Sequence, residues 1–164
     1  MKLKHEKILE RLDSTMTRIG SSMIGVNTDS SDFDFATPES VWGKISPLLK
    51  QKLGFTEMYK YNHYGDAVKD TSYPSHIMFN EYNVKMEYNG CLYDFVVYKD
   101  ETYPKVQDAV RKFKVLLDDV PSLVNLLSEK TLRVELFQHF LRAEFKCCIH
   151  KTDEELLDDI FAGM

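Results

Sequence analysis

Two aspartates, Asp32 and Asp34 in the run Asp32-Phe33-Asp34-Phe35, are the residues of this sequence best suited to chemistry. Alternating polar and apolar residues mark a half-buried strand, on which residues two apart share a face. The pattern therefore predicts Asp32 and Asp34 side by side, with Phe33 and Phe35 turned into the core. Carboxylates that close repel, so one takes up a proton unless a cation sits between them. The usual chemical use of such a pair is to share two Mg²⁺ ions about 3.5–4 Å apart, with water and substrate phosphate completing the coordination. For Asp-x-Asp alone, the alternative is a solvated loop with two surface aspartates.

Upstream, Thr15-Met16-Thr17-Arg18-Ile19 can form a strand that leads into Gly20-Ser21. Gly20 would let a phosphate approach the backbone closely, and Ser21 could cap a short helix whose first N–H groups face an anion. Gly25 would end that turn. A calcium loop beginning at Asn27 is excluded, because its sixth position would be Asp32 in place of Gly and its twelfth Pro38 in place of Glu.

Ile19, Gly20-Ser21, Gly25 and Ser31-Asp32-Phe33-Asp34-Phe35, with Asp32 twelve residues after Gly20, together resemble the signature of the polymerase-beta-type nucleotidyltransferase superfamily, in particular its minimal members. Ser22 stands where minimal members often carry Arg. The resemblance implies an α+β fold: a mixed sheet with helices on one face and a C-terminal helical extension. It also implies transfer of a nucleoside monophosphate from an NTP to a hydroxyl, with release of pyrophosphate. Mg²⁺ or Mn²⁺ would be held by Asp32, Asp34 and a third carboxylate, and Gly20 and Ser21 would cradle the β- and γ-phosphates. The acceptor stays open among a protein, an RNA end, a nucleotide and a small molecule. The alternative is a nucleotidyltransferase fold used only for binding, as a regulator or a toxin–antitoxin component with a protein partner.

The best candidate for the third carboxylate is Asp94, in Gly90-Cys91-Leu92-Tyr93-Asp94-Phe95-Val96-Val97-Tyr98. That segment is rich in aromatic and β-branched residues and reads as a buried strand, where a lone Asp is costly unless paired or bound to metal. Asn89-Gly90 is a strong hairpin signal and pairs the segment with Val84–Tyr88. Glu87 is the fallback ligand.

Other elements must hold these residues in place. Residues 4–13 read as a helix, and Thr37-Pro38 as the start of another, with Thr37 as N-cap and Pro38 in the first turn. Val41, Ile45, Leu48 and Leu49 recur at helical spacing until Gly54. Residues 55–74 read as a strand and a long exposed loop, followed by strands near 75–79, 83–88 and 91–98. Beyond Tyr103 the apolar stripes are helical: Val106, Val110, Phe113 and Leu117 before Pro121, then Leu132, Leu136, Phe137, Phe140, Leu141 and Phe145. Thr152-Asp153-Glu154-Glu155 opens a last helix as a capping box. The division expected is a nucleotidyltransferase-like catalytic domain over 1–102 and a helical extension over 103–164. In relatives of this kind such an extension commonly covers one side of the nucleotide cleft, and Arg111, Lys112 and Lys114 are candidates to meet the triphosphate from it.

A chain of 164 residues with 43% hydrophobic content can bury a real core, and its net charge of −5 leaves no global footprint for nonspecific nucleic-acid binding. Three cysteines, two of them adjacent, and an N-terminus without an apolar h-region point to a reducing, cytoplasmic setting. Cys147-Cys148-Ile149-His150 shows no four-ligand zinc pattern. No run is long enough to span a membrane. His63, His76 and His139 lack a Ser or Cys partner at recognisable spacing, whereas Tyr59, Tyr61 and Tyr64 could stack on a base.

Overall fold

The computed structural model describes residues 3–61, 79–145 and 153–162. Helix α1 (His5–Asp13) leads to the short strand β1 (Thr17–Ile19), a 3₁₀ turn (Ser21–Met23) and strand β2 (Phe33–Pro38). Helix α2 (Glu39–Leu48) widens into a π turn (Leu49–Leu53), and strands β3 (Thr56–Tyr61), β4 (Tyr82–Tyr88) and β5 (Cys91–Tyr98) follow. Helices α3 (Tyr103–Asp119), α4 (Leu123–Leu126), α5 (Lys130–Phe145) and α6 (Asp153–Ala162) complete the described chain. The fold is α+β, with a mixed five-stranded sheet in the order β1-β2-β5-β4-β3. Its central pair, β2 and β5, runs parallel, and every other pair is antiparallel. No helix among the described residues is long and apolar enough to cross a membrane.

Strand alternation assigns the two faces. Phe35, Val84, Met86, Tyr88, Tyr93, Phe95 and Val97 point one way and form a core with Ile8 and Leu12 of α1 and Trp42 of α2. Ile19, Ala36, Val96 and Tyr98 point the other way and are covered by Val106, Ala109 and Val110 of α3 and by Phe137 and Leu141 of α5. Asp34 and Asp94 share the parity of Ala36 and Val96, so they lie on this second face. Phe33 is only partly buried, at the rim of the first core.

The start of α2 differs from the expected cap. Thr37 is fully buried inside β2, and Pro38 takes the N-cap place with an extended backbone (φ −74°, ψ 151°). Pairing with β5 continues through Thr37–Val97 and Pro38–Tyr98 and holds the chain extended to that point. The helix receives its cap from elsewhere, since Ser40 N–H donates to Asp100 Oδ1 at 3.0 Å. Gly54, left-handed at φ +83°, ends the helical turns as its position predicts. The expected loop after β3 and the strand near 75–79 fall outside the described residues, except Phe79, which is in no strand. The same holds for the start of the last helix at Thr152, for Cys147-Cys148-Ile149-His150, and for His63, His76 and Tyr64.

The β4–β5 hairpin turns on Asn89 (φ +47°) and Gly90 (φ +82°), the double positive φ that a two-residue turn of type I′ requires. Gly90→Ala is expected to cost about 1 kcal/mol, read as a lower midpoint in urea denaturation with an unchanged slope.

Candidate functional site

Register brings the carboxylates together. On the second face one row crosses the sheet through paired residues: Ile19 opposite Asp34, Asp34 opposite Asp94, Asp94 opposite Lys85, and Lys85 opposite Tyr59. Neighbouring strands are about 4.8 Å apart, so Asp34 and Asp94 stand shoulder to shoulder. Asp32 lies one residue ahead of β2, because pairing with β5 begins at Phe33–Tyr93. It is therefore the more exposed carboxylate at the mouth of the pair.

Burial and mutual repulsion set the charges. Burial, then the charges of Asp94 and Asp32, push the Asp34 carboxyl well above the ordinary aspartate range, against the opposing pull of Lys85 and Arg133. Asp94 is pushed up to about 6 by burial and the Asp32 charge, opposed by Lys85 and a hydrogen bond from Asn83. Asp94 Oδ1 is buried and has no hydrogen-bond partner among the described residues. A buried carboxylate oxygen left without a donor is costly and points to a ligand.

Lys85 reaches into this cluster. Its Nζ donates to Asp32 Oδ2 at 2.8 Å and sits 5.8 Å from the centre of the Tyr59 ring. Burial would lower the lysine pKa, but the Asp32 hydrogen bond and the charges of Asp94 and Asp32 outweigh it and hold the ammonium protonated. Nothing in the run around Asp32 signals this lysine. Counting back from the Asn89-Gly90 turn does, because Tyr88–Cys91, Glu87–Leu92 and Met86–Tyr93 put Lys85 opposite Asp94.

Gly20 ends β1 at φ +73°, and a Cβ built there would lie 2.2 Å from Asp34 Oδ2. The backbone thus passes directly against the carboxylate, which only glycine permits. Ser21 is buried and opens the 3₁₀ turn, Val26 N–H donates to Ser21 O, and Gly25 is left-handed at φ +77°. Ser22 Oγ is buried without a partner among the described residues.

The remaining sequence candidates sit elsewhere. Glu87 Oε1 accepts from Gly90 N–H at 2.6 Å and closes the hairpin. Arg111 pairs with Asp108, Lys112 with Glu144, and Lys114 is exposed on α3. The cation from the helical region whose charge reaches Asp34 is Arg133, which also donates to the carbonyls of Leu127 and Ser128. Its role depends on how α5 seats on the sheet, a long-range contact without a local sequence signal. His139 lines a groove with Leu116, Phe140 and Leu157 that none of the three aspartates borders.

The donors are hard carboxylate oxygens, one of them orphaned, beside a backbone turn that a side chain would fill. That chemistry fits Mg²⁺ or Mn²⁺. Among the described residues no three His, Cys, Asp or Glu side chains already converge as a metal cage, and the Lys85 ammonium holds Asp32. Comparison of the chain with known protein families, with characterised proteins and with solved structures gives no match.

Proposed function

We propose that the protein is a metal-dependent nucleotidyltransferase that moves a nucleoside monophosphate from an NTP to a hydroxyl acceptor. The observation that carries this reading is the Asp34–Asp94 pair: adjacent in register, half-buried, pushed toward protonation, with a buried Asp94 Oδ1 left orphaned. Such a pair is stable as two carboxylates only around a cation. The Gly20-Ser21 turn against Asp34, and the resemblance of Ile19 through Phe35 to the polymerase-beta-type signature, support it further.

In this reading Asp32, Asp34 and Asp94 hold Mg²⁺ or Mn²⁺. When bound, the ions supply positive charge to the triphosphate and acidify the acceptor hydroxyl. Gly20 and the N–H groups at the head of the 3₁₀ turn meet the phosphates, an approach that the absent Cβ leaves open. The acceptor oxygen forms a bond to the α-phosphorus, and the bond to the β-phosphate oxygen breaks, so pyrophosphate leaves. Asp94, opposite Asp34 in register, would help hold the ion that acidifies the acceptor hydroxyl. The protein contributes position and fixed charge.

One observation favours the second reading, a nucleotide-binding regulator or toxin–antitoxin component without transfer. A lysine already neutralises Asp32. Incubation with four α-labelled NTPs, Mg²⁺ or Mn²⁺, total RNA and cell lysate separates the two. Wild type is expected to place label on one acceptor class, and Asp32→Ala/Asp34→Ala on none. NTP binding by calorimetry without any label transfer would leave the regulator, and the absence of both would remove the nucleotide reading.

A further inference from the structure

Lys85 is the side chain at the carboxylate cluster that the chemistry above leaves without a task. It comes from β4, opposite Asp94, with its ammonium on Asp32, near the Tyr59 ring and within reach of the Asp94 and Asp34 charges. Only 17% of its side chain is exposed, so it is not one of the solvated surface pairs that contribute little. A unit charge at 2.8 Å from Asp32 Oδ2 occupies one of the lone-pair directions that a metal ion would use. An ammonium and a dication repel strongly at such separations under a reduced dielectric. Metal coordination through Asp32 Oδ2 is therefore opposed for as long as the ammonium stays there.

The lysine stem is flexible, and its terminal charge suits phosphate as readily as carboxylate. Resting on the nucleotidyl-transfer reading, we infer that Lys85 is a resident counter-ion that keeps Asp32 from metal until nucleotide arrives, then passes to a phosphate oxygen of the incoming NTP. The protein consequently takes up its metal together with the nucleotide and binds bare divalent ions weakly. Lys85 is a counter-ion to Asp32 in the resting protein and a phosphate-binding residue in the loaded one. Its ammonium sets the order in which metal and substrate enter.

Two affinities test this on the full chain. One is for Mn²⁺ alone, from the electron paramagnetic resonance signal of free Mn²⁺. The other is for an ATP analogue with a methylene α,β-bridge at saturating Mn²⁺, from calorimetry. Lys85→Met is expected to bind Mn²⁺ alone about tenfold or more tighter and the analogue about tenfold weaker, because one charge is removed from the metal and from the phosphate alike. Lys85→Arg is expected to return both affinities toward wild type. A merely structural lysine would move both in the same direction, and that result, or an unchanged Mn²⁺ affinity in Lys85→Met, overturns the inference. Should Lys85→Met not fold, the wild type decides: the analogue must tighten Mn²⁺ binding, and Mn²⁺ bound equally well without it overturns the inference. Failure of every variant to bind Mn²⁺ with or without the analogue removes the nucleotidyl-transfer reading as well, whereas wild-type binding of the Mn²⁺–analogue complex with Lys85→Met unchanged removes this inference alone.

Discussion

Asp34→Asn is expected to lose transfer activity by about a thousandfold or more, the scale on which a preorganised electrostatic group acts, yet to stabilise the metal-free protein above neutral pH. The two effects share one cause. Asp34 stands beside Asp94 in register, two residues after Asp32, and its carboxyl is held well above the ordinary range by burial first and by those charges second. Asp94 behaves likewise, at about 6 against an ordinary 3.8. Between those two values the folded protein binds more protons than the unfolded chain, so stability falls as pH rises. The contribution of Asp94 is fully present below about pH 4 and is lost as pH rises through about 6. An asparagine at 34 keeps the shape and removes the carboxyl whose ionisation burial and the Asp94 and Asp32 charges oppose. Urea denaturation in chelator at pH 5 and pH 8 measures this. Wild type should lose more stability between the two than Asp34→Asn does, and added Mn²⁺ should restore wild type far more than the variant. A variant less stable than wild type at pH 8 in chelator would mean that the carboxylate is satisfied by the protein itself, against the orphaned Asp94 oxygen beside it.

Much of this arrangement could be read along the chain, and the remainder required the sheet. Alternation in Asp32-Phe33-Asp34-Phe35 is a local property, and it correctly puts Asp34 opposite in direction to Phe35, which is fully buried. The Asn89-Gly90 turn is equally local and sets the hairpin register. The junction of β2 and α2 misled because Thr37-Pro38 has the composition of a cap, whereas pairing with β5 keeps both residues extended. Tertiary pairing outweighed local preference there. The parallel pairing of Asp34 with Asp94 joins segments sixty residues apart, and nothing in either segment states its register. Arg133 reaches Asp34 through the same kind of long-range packing, whereas Lys85 opposite Asp94 follows from the hairpin register. A lysine on an alternating strand looks like a solvated residue until the strand order places a carboxylate beside it.

Gly20→Ala is expected to be the most damaging single methyl addition in the described chain, at about 3 kcal/mol or more of stability, with transfer falling alongside. Two costs combine. The Gly20 backbone, at φ +73° and ψ −159°, lies in a region essentially restricted to glycine, where a side chain costs on the order of 1–3 kcal/mol. The new methyl would also meet Asp34 Oδ2 at 2.2 Å and Asp34 Cγ at 3.0 Å, far inside contact distance, so Asp34 or the turn must move. Gly25 is the reference for a positive φ without crowding, at φ +77° with nothing within 4 Å of its Cβ direction. Gly25→Ala should therefore pay the backbone cost alone, about 1 kcal/mol. The excess at Gly20 combines its extended ψ of −159° with the close approach, and a double-mutant cycle isolates the second. In an Asp34→Ala background the oxygen and Cγ are gone and only Asp34 Cβ, at 3.2 Å, remains near the methyl. Gly20→Ala should then cost less by about 1–2 kcal/mol, a coupling expected only between residues in contact. Additive effects would separate the turn from the carboxylate and remove the structural basis for a phosphate lying across both; strong coupling would tie the conformation of Gly20 directly to the acid that stands at the centre of the site.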